Sequence, residues 1–426
     1  MIKIFRMGEM PREQIFARDN PTANVSDAVA AIVSEVRAGG DKALRDCTER
    51  FDGVKLDSLE VMPWELDEAF QTVEQEFVEI LTEAKENISA FHRKQVRGNF
   101  CLNKRRSIQL GQIITPIERV GLYVPGGTAA YPSTVLMDAI PAKIAGCKTI
   151  VMVTPPGRDG KVNPAILVAA KIAGVDRIYK VGGAQAVAAL AYGTESVPKV
   201  DKIVGPGNAF VAEAKKQVFG VVSIDMIAGP SEILVIADKS CNPVFVAADL
   251  LSQAEHDRNA SAVLVTDSFD LAYRVRNELE RQIPLLPRGE IARASIDKNG
   301  KIIIAASIEE AIEVSNEIAP EHLELSVAYA KKYVPLVKNA GSVFIGKHCP
   351  EALGDYFAGP NHTLPTGGTA RFSSPLSVDD FVKKTQYVYY TEDALASVSD
   401  KIALFAGKEG LDAHARSVTV RAEKKQ

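Results

Sequence analysis

The sequence predicts an α/β protein with mostly parallel sheets. Two observations carry this. From about Ile114, short β-branched runs alternate with alanine-rich helical stretches, and strands separated by helices pair in parallel. The helical stretches also carry their own punctuation, an asparagine cap and first-turn proline in front and a glycine behind. The 426 residues suffice for two large domains or about three of ordinary size. With 46% hydrophobic and 24% charged residues, the mix is that of a globular protein.

The elements follow in order. Residues 26–50 place Ala28, Ile32 and Val36 at helical spacing, interrupted at Gly39-Gly40. Pro63 suits the first turn of a second helix to about Gln95, with Leu66, Phe70, Val73, Phe77 and Leu81 as its apolar stripe. Residues 1–110 therefore read as a helical arm and part of the first core. Strands at 120–124, 149–153, 177–181 and 202–204 define a first α/β unit, 111–223. Within it, Asn163-Pro164 opens a helix that Gly174 closes. A second unit, 224–373, has strands at 233–237, 262–266, 302–305, 323–326 and 342–345. Asn242-Pro243 opens one of its helices, and a Ser307/Glu310 capping box opens another. The tail, 374–426, reads as polar loops and helices.

Charge and composition narrow the function. Fifty basic residues face 54 acidic ones, a net charge of −4, which leaves no global footprint for nucleic acid or an anionic membrane. The nearest local basic region is 93–106. A membrane span needs roughly 18–20 apolar residues, and the best run, 165–175, is short and broken by Lys171. The first ten residues carry charges where a signal peptide needs an apolar stretch, so a cytoplasmic location is expected. Cys47, Cys101, Cys147, Cys241 and Cys349 are widely spaced and odd in number, so no disulfide framework is expected. Only Cys349 has a neighbouring histidine, and all five read as structural.

Five of the six histidines fall between His256 and His414. Gln253 and His256 lie three apart at the end of a predicted helix and share a face. Their carboxamide oxygen and imidazole nitrogen suit a borderline cation such as zinc; a helix C-terminus with a favourably placed histidine fits equally. Pro320 blocks helix continuation, which displays Glu321 and His322 on a stiff loop at a strand start. That position suits a general base or a solvated turn. In the loop-like 354–366, Asp355 offers a metal carboxylate and His362 a substrate contact. Glu409 and His414 flank Gly410. One Gln, two His and one Asp would form an N/O-rich site with positions open for substrate. Glycines cluster at Pro125-Gly-Gly127, Val181-Gly-Gly183, Gly205-Pro-Gly-Asn208 and Ala228-Gly-Pro-Ser231, where backbone amides could approach a phosphate. Phe210 occupies the third glycine position of the dinucleotide fingerprint, so that fingerprint is incomplete; tight βα turns explain these glycines as well.

The long stretch Ile224-Asp-Met-Ile-Ala-Gly-Pro-Ser-Glu-Ile-Leu-Val-Ile-Ala-Asp238 and the run Ala248-Asp-Leu-Leu-Ser-Gln-Ala-Glu-His256 resemble the histidinol dehydrogenase family. So do Arg119-Val-Gly-Leu-Tyr-Val-Pro-Gly-Gly127, Val181-Gly-Gly-Ala-Gln-Ala186, Pro320-Glu-His-Leu-Glu324, Gly359-Pro-Asn-His-Thr-Leu-Pro-Thr366 and the Glu409/His414 pair. The resemblance covers essentially the whole chain. It implies two incomplete Rossmann-like domains with smaller helical N- and C-terminal segments, in an intertwined homodimer whose sites the partner chain completes. It implies one zinc ion per subunit, and oxidation of L-histidinol through L-histidinaldehyde to L-histidine with two NAD. The implied zinc ligands are Gln253, His256, Asp355 and His414, which also meet substrate together with Ser231, His322, His362 and Glu409. The implied acid/base pair is Glu321 and His322, and the implied NAD contacts are Tyr123, Gln185 and Asn208.

Two other chemistries compete. A related zinc and NAD dehydrogenase for another amino alcohol or diol would have changed Ser231, His362, Glu409 or Pro320-Glu-His322. A zinc hydrolase would make no use of the glycine loops.

Overall fold

The computed structural model describes residues 1–9, 11–16, 25–126 and 130–422; Gly127 of the first glycine cluster lies outside them. The described strands are β1 (Lys3–Arg6), β2 (Phe100–Arg105), β3 (Ile108–Pro116), β4 (Arg119–Tyr123), β5 (Thr149–Thr154), β6 (Arg177–Lys180), β7 (Lys202–Val204), β8 (Ser223–Ile224), β9 (Glu232–Ala237), β10 (Ser261–Thr266), β11 (Lys301–Ile304), β12 (His322–Ser326), β13 (Ser342–Ile345) and β14 (Val382–Tyr390). The chain folds as two units, residues 1–95 with 117–381, and residues 96–116 with 382–426.

The larger unit holds two parallel sheets. One runs β6-β5-β4-β7-β8 and the other β1-β11-β10-β9-β12-β13. All ladders in both are parallel. Central strands are buried from end to end, as in β9 and β10. Strands covered on both faces read as unbroken apolar runs, which is why 233–237 and 262–265 carry no polar alternation. Numbered from its own first strand, the first sheet has the order 3-2-1-4-5. The second repeats that order and adds β1 beyond its third strand. Each is one strand short of the doubly wound 3-2-1-4-5-6 pattern, in keeping with the broken fingerprint.

The helices obey their local signals. Asn163 accepts from the Ala165 amide at 2.9 Å and Asn242 from the Val244 amide at 3.0 Å. Ser307 caps the Glu310 amide at 3.2 Å while the Glu310 carboxylate accepts from the Ala306 amide at 2.5 Å. The first long helix, Ser26–Asp52, breaks at Gly40, whose φ of 54° and ψ of −137° are open mainly to glycine. Three expectations give way. The predicted helix over 63–95 is two, Pro63–Thr72 and Gln75–His92, because Val73 and Glu74 turn extended without a glycine or proline to announce it. The start of the chain is not purely helical, since it supplies β1 to the second sheet and β2 to the smaller unit. The tail is not only loops and helices, since it supplies β14.

The smaller unit is an antiparallel sheet, β14-β3-β2, with helices Glu392–Ala396, Ser399–Lys408 and Asp412–Ala422. Cys47, Cys147 and Cys241 are buried, and burial pushes each thiol up to about 11, far from a reactive thiolate. Among the described residues no helix is long and apolar enough to cross a membrane.

Candidate active site

The titratable cluster lies at the amino-terminal edge of the second sheet. β9 begins at Glu232 and β12 at His322, and these two neighbouring strands bring both starts together. The helix Pro243–Ala254 returns from β9, so its last turn carries Gln253 back to the same edge. Asp355 lies in the last turn of the short helix Glu351–Tyr356 that follows β13.

His322 is the hub. Its Nδ1 lies 3.0 Å from the Glu232 carbonyl oxygen, a position that only an N–H can fill, so Nδ1 donates. Its Nε2 then faces Asp355, 3.5 Å from Oδ1, and is buried without a hydrogen-bond partner. Glu321 stands on the other side, its Oε2 3.7 Å from Nδ1 and accepting from the Glu232 amide at 2.8 Å. His322, Glu351 and Asp355 each bring one ligand atom within 4.8 Å of the others. His362 turns its Nδ1 to the Asp355 carbonyl oxygen at 3.1 Å and its Nε2 toward the Thr134 hydroxyl at 3.4 Å. Ser231 immediately precedes β9, and His256 follows Gln253 by one turn, its amide bonded to the Gln253 carbonyl at 3.1 Å.

Electrostatics follow from this crowding. Burial opposes a charge on His322, but Glu321, Asp355 and Glu351 outweigh it and push the imidazole up to about 10. Sequence spacing does not show how many carboxylates surround this imidazole. Burial pushes Glu321 up to about 8. Burial works to raise Asp355 as well, but the His322 imidazole beside it pulls it down to about 2. His256 and His362 are lowered by burial.

The residues fit a zinc ion. The Oε1 of Gln253 is buried without a partner on a side chain only 1% exposed. An orphaned carboxamide oxygen beside carboxylates and imidazoles is what a cation satisfies, and such a set of oxygen and nitrogen donors suits zinc. The implied ligands Gln253, His256 and Asp355 share the larger unit. His414 and the substrate contact Glu409 are exposed on the smaller one, Glu409 capping the helix Ser399–Lys408 and His414 within Asp412–Ala422.

A model of the family described as histidinol dehydrogenase matches residues 17–422. The chain belongs to that family. A histidinol dehydrogenase of Bacillus cereus is 58% identical over 93% of this chain and 92% of its own. One of Clostridium acetobutylicum is 54% identical over 99% of each chain. The crystal structure of histidinol dehydrogenase from Elizabethkingia anophelis superposes with a TM-score of 0.94 at 39% identity, covering 99% of this chain and 98% of that one. The chain is accordingly an enzyme that oxidises histidinol in histidine biosynthesis.

The implied NAD contacts lie at the opposite kind of edge. Tyr123 ends β4, Gln185 lies in the helix after β6, and Asn208 follows β7. In open sheets of this order, ligands bind outside the carboxyl ends where the winding reverses, here between β4 and β7. The loops at this edge are held by their own hydrogen bonds. The Tyr123 hydroxyl accepts from the Gly183 amide at 3.0 Å, and Asn208 caps the Phe210 and Val211 amides at 3.0 and 3.2 Å. Gly205 has a φ of 112°, and a Cβ on it would run into the Tyr123 carbonyl. A buried ion pair between Lys215 and Asp225 clamps the loop, Lys215 donating to the Gly205 carbonyl at 3.0 Å and Asp225 accepting its amide at 2.8 Å.

Sequence reasoning missed Glu351 and Asp249 and assigned Glu324 no role. Burial raises all three carboxyls, and Asp249 and Glu324 hydrogen-bond each other, which needs a shared proton. One signal was available: a glutamate between two leucines in a strand, as Glu324 is in β12, is a buried carboxylate in need of a partner.

Proposed function

We propose that the enzyme carries histidinol through both oxidations, L-histidinol to L-histidinaldehyde to L-histidine, with His322 as general base and Glu321 activating water. The observation that carries this reading is the orientation of His322: Nδ1 is tied to the Glu232 carbonyl, which directs Nε2 into the cluster as the free lone pair of the neutral ring.

Gln253, His256 and Asp355, with His414, would hold zinc, and Tyr123, Gln185 and Asn208 would hold NAD. When bound, zinc supplies a positive charge that anchors the substrate's imidazole and amine and offsets the carboxylates that hold His322 protonated, while NAD supplies the hydride acceptor. Nε2 of His322 takes the alcohol proton as hydride leaves the carbinol carbon. Glu321, which burial raises to about 8 and which is ionised above that pH, then takes a proton from the water that adds to the aldehyde. The resulting hydrate loses its own hydride and proton and becomes the carboxylate. No thiolate is needed, in keeping with the three buried thiols. Ser231, His362 and Glu409 orient the substrate.

We further read the working form as a homodimer in the cytoplasm, with Glu409 and His414 supplied by the partner copy. Support comes from the smaller unit, where Leu404, Phe405 and Val388 are exposed at 67%, 69% and 72%. Apolar side chains on this scale mark a surface that another chain covers.

The test is NADH formation by zinc-loaded protein given L-histidinol. Two NADH per substrate with histidine as product supports both half-reactions. One NADH with accumulating aldehyde removes the second, and none removes the reading.

A further inference from the structure

The two oxygens of the Glu351 carboxylate are both engaged. Oε1 accepts from Nε2 of Gln253 and Oε2 accepts from the Ser252 hydroxyl, each at 2.5 Å. The Glu351 backbone amide is itself held by Glu324 Oε1 at 2.8 Å. Glu351 and Gln253 are 3% and 1% exposed, so no water competes for these contacts.

An amide side chain has a donor end and an acceptor end of nearly equal shape, and only hydrogen bonding decides which way it faces. Burial raises the Glu351 carboxyl but the His322 charge beside it favours ionisation, and as a carboxylate Glu351 accepts and cannot donate. Beside Glu351, Gln253 must therefore offer its NH2 group to the carboxylate and turn Oε1 the other way, where it lies buried and unpaired. Were the amide reversed, two acceptors would meet at Glu351 and the cluster would receive a donor, which cannot ligate a cation.

We propose that Glu351 is a positioning residue that sets the orientation of the Gln253 amide and so makes its oxygen a metal ligand. This rests on the reading of the cluster as a metal site. Glu351 acts through Gln253 rather than on the metal, although its carboxylate lies close enough to His322 and Asp355 to be mistaken for a ligand. Outer partners of this kind typically change metal affinity by about 10–100-fold.

The experiment is a double-mutant cycle with E351Q and Q253L. Cobalt(II) affinity of the full-length protein is measured by chelator competition, and the cobalt absorption spectrum reports the ligand set. E351Q lets the paired amides face either way, and affinity should fall about 10–100-fold with a changed spectrum. Q253L should lose at least as much, and E351Q/Q253L no more than Q253L alone within about threefold. Additive losses, or an unchanged E351Q, overturn the proposal. Wild-type protein that retains no metal overturns the site reading itself, and the proposal with it. Should Q253L fail to fold, the swap E351Q/Q253E decides: the amide and the carboxylate trade places, so the amide can only donate to the carboxylate, whose second oxygen is left for the metal. Recovery of affinity and spectrum supports the proposal, and none overturns it.

Discussion

The two parallel sheets share one strand order and gather their candidate site residues at opposite ends. The first offers the carboxyl edge between β4 and β7, where Tyr123 and the Gly205–Asn208 loop gather. The second places His322, Glu321 and Glu232 at its amino edge, where β9 and β12 begin. Strand order explains the first choice, because the winding reverses there and leaves a crevice. It does not explain the second. That site depends on which side chains stand at the strand starts, and on a returning helix whose last turn brings Gln253. Fold order thus points to the crevice proposed for the cofactor, whereas the candidate catalytic cluster must be read residue by residue.

If the amino edge of the second sheet does the chemistry, H322N should lower turnover of both alcohol and aldehyde by about 10²–10⁴-fold while metal content stays full. Near-normal turnover would break the comparison at its main point. E321Q keeps the shape of the side chain and should cost about 10²-fold in aldehyde oxidation and much less in alcohol oxidation; equal losses would remove water activation from Glu321. H256N should cut zinc affinity by at least tenfold, on the order expected for a lost ligand or its close support, and a full metal complement after dialysis against chelator would remove it from the ligand set. At the carboxyl edge of the first sheet, Y123F leaves the Gly183 amide without its acceptor. A net loss of about 1 kcal/mol should raise the KM for NAD about fivefold without moving that for histidinol; parallel rises in both would mean the two edges are not separate in function.

A separate effect, on stability rather than turnover, concerns the joint between the sheets. Asp138 lies on the helix after β4 and accepts from the Thr363 hydroxyl at 2.9 Å, next to His362. Burial and the charge of Asp225 raise it from 3.8 to about 8. The folded state therefore binds this proton more tightly than the unfolded chain. The stability from this group is complete below about pH 4 and declines as pH rises to about 8, by roughly 1 kcal/mol per pH unit. D138N, which mimics the protonated form, should flatten that decline. Unfolding measured at pH 5 and pH 7.5 gives the slope, and an equal slope in the variant would show that Asp138 is ionised in the native protein.

Much of this was legible in the sequence because burial leaves a pattern. Strands such as β9 and β10 are covered on both faces and show as apolar runs, and the Asn163, Asn242 and Ser307 caps act through their immediate neighbours. β14 was not legible for the same reason inverted. None of its nine residues is fully buried, and most are exposed, so no buried face imposes an alternation, and pairing with β3 alone sets its place. Among the candidate site residues, Gln253, His256, Glu321, His322, Asp355 and His362 stood out through unusual residue types near motifs. Glu351 did not, because a glutamate after a proline looks like an ordinary first-turn acid. Its meaning comes from Gln253, about a hundred residues away in sequence.

β1 gives the second sheet a schedule as well as an edge. Lys3 pairs with Lys301 and Arg6 with Ile304, so the first strand made waits for one nearly three hundred residues later. At roughly 5–20 residues per second, that wait lasts on the order of 15–60 s. Ile4 and Phe5 stay without their sheet for that time, and the newborn chain must keep them from other partners until β11 emerges.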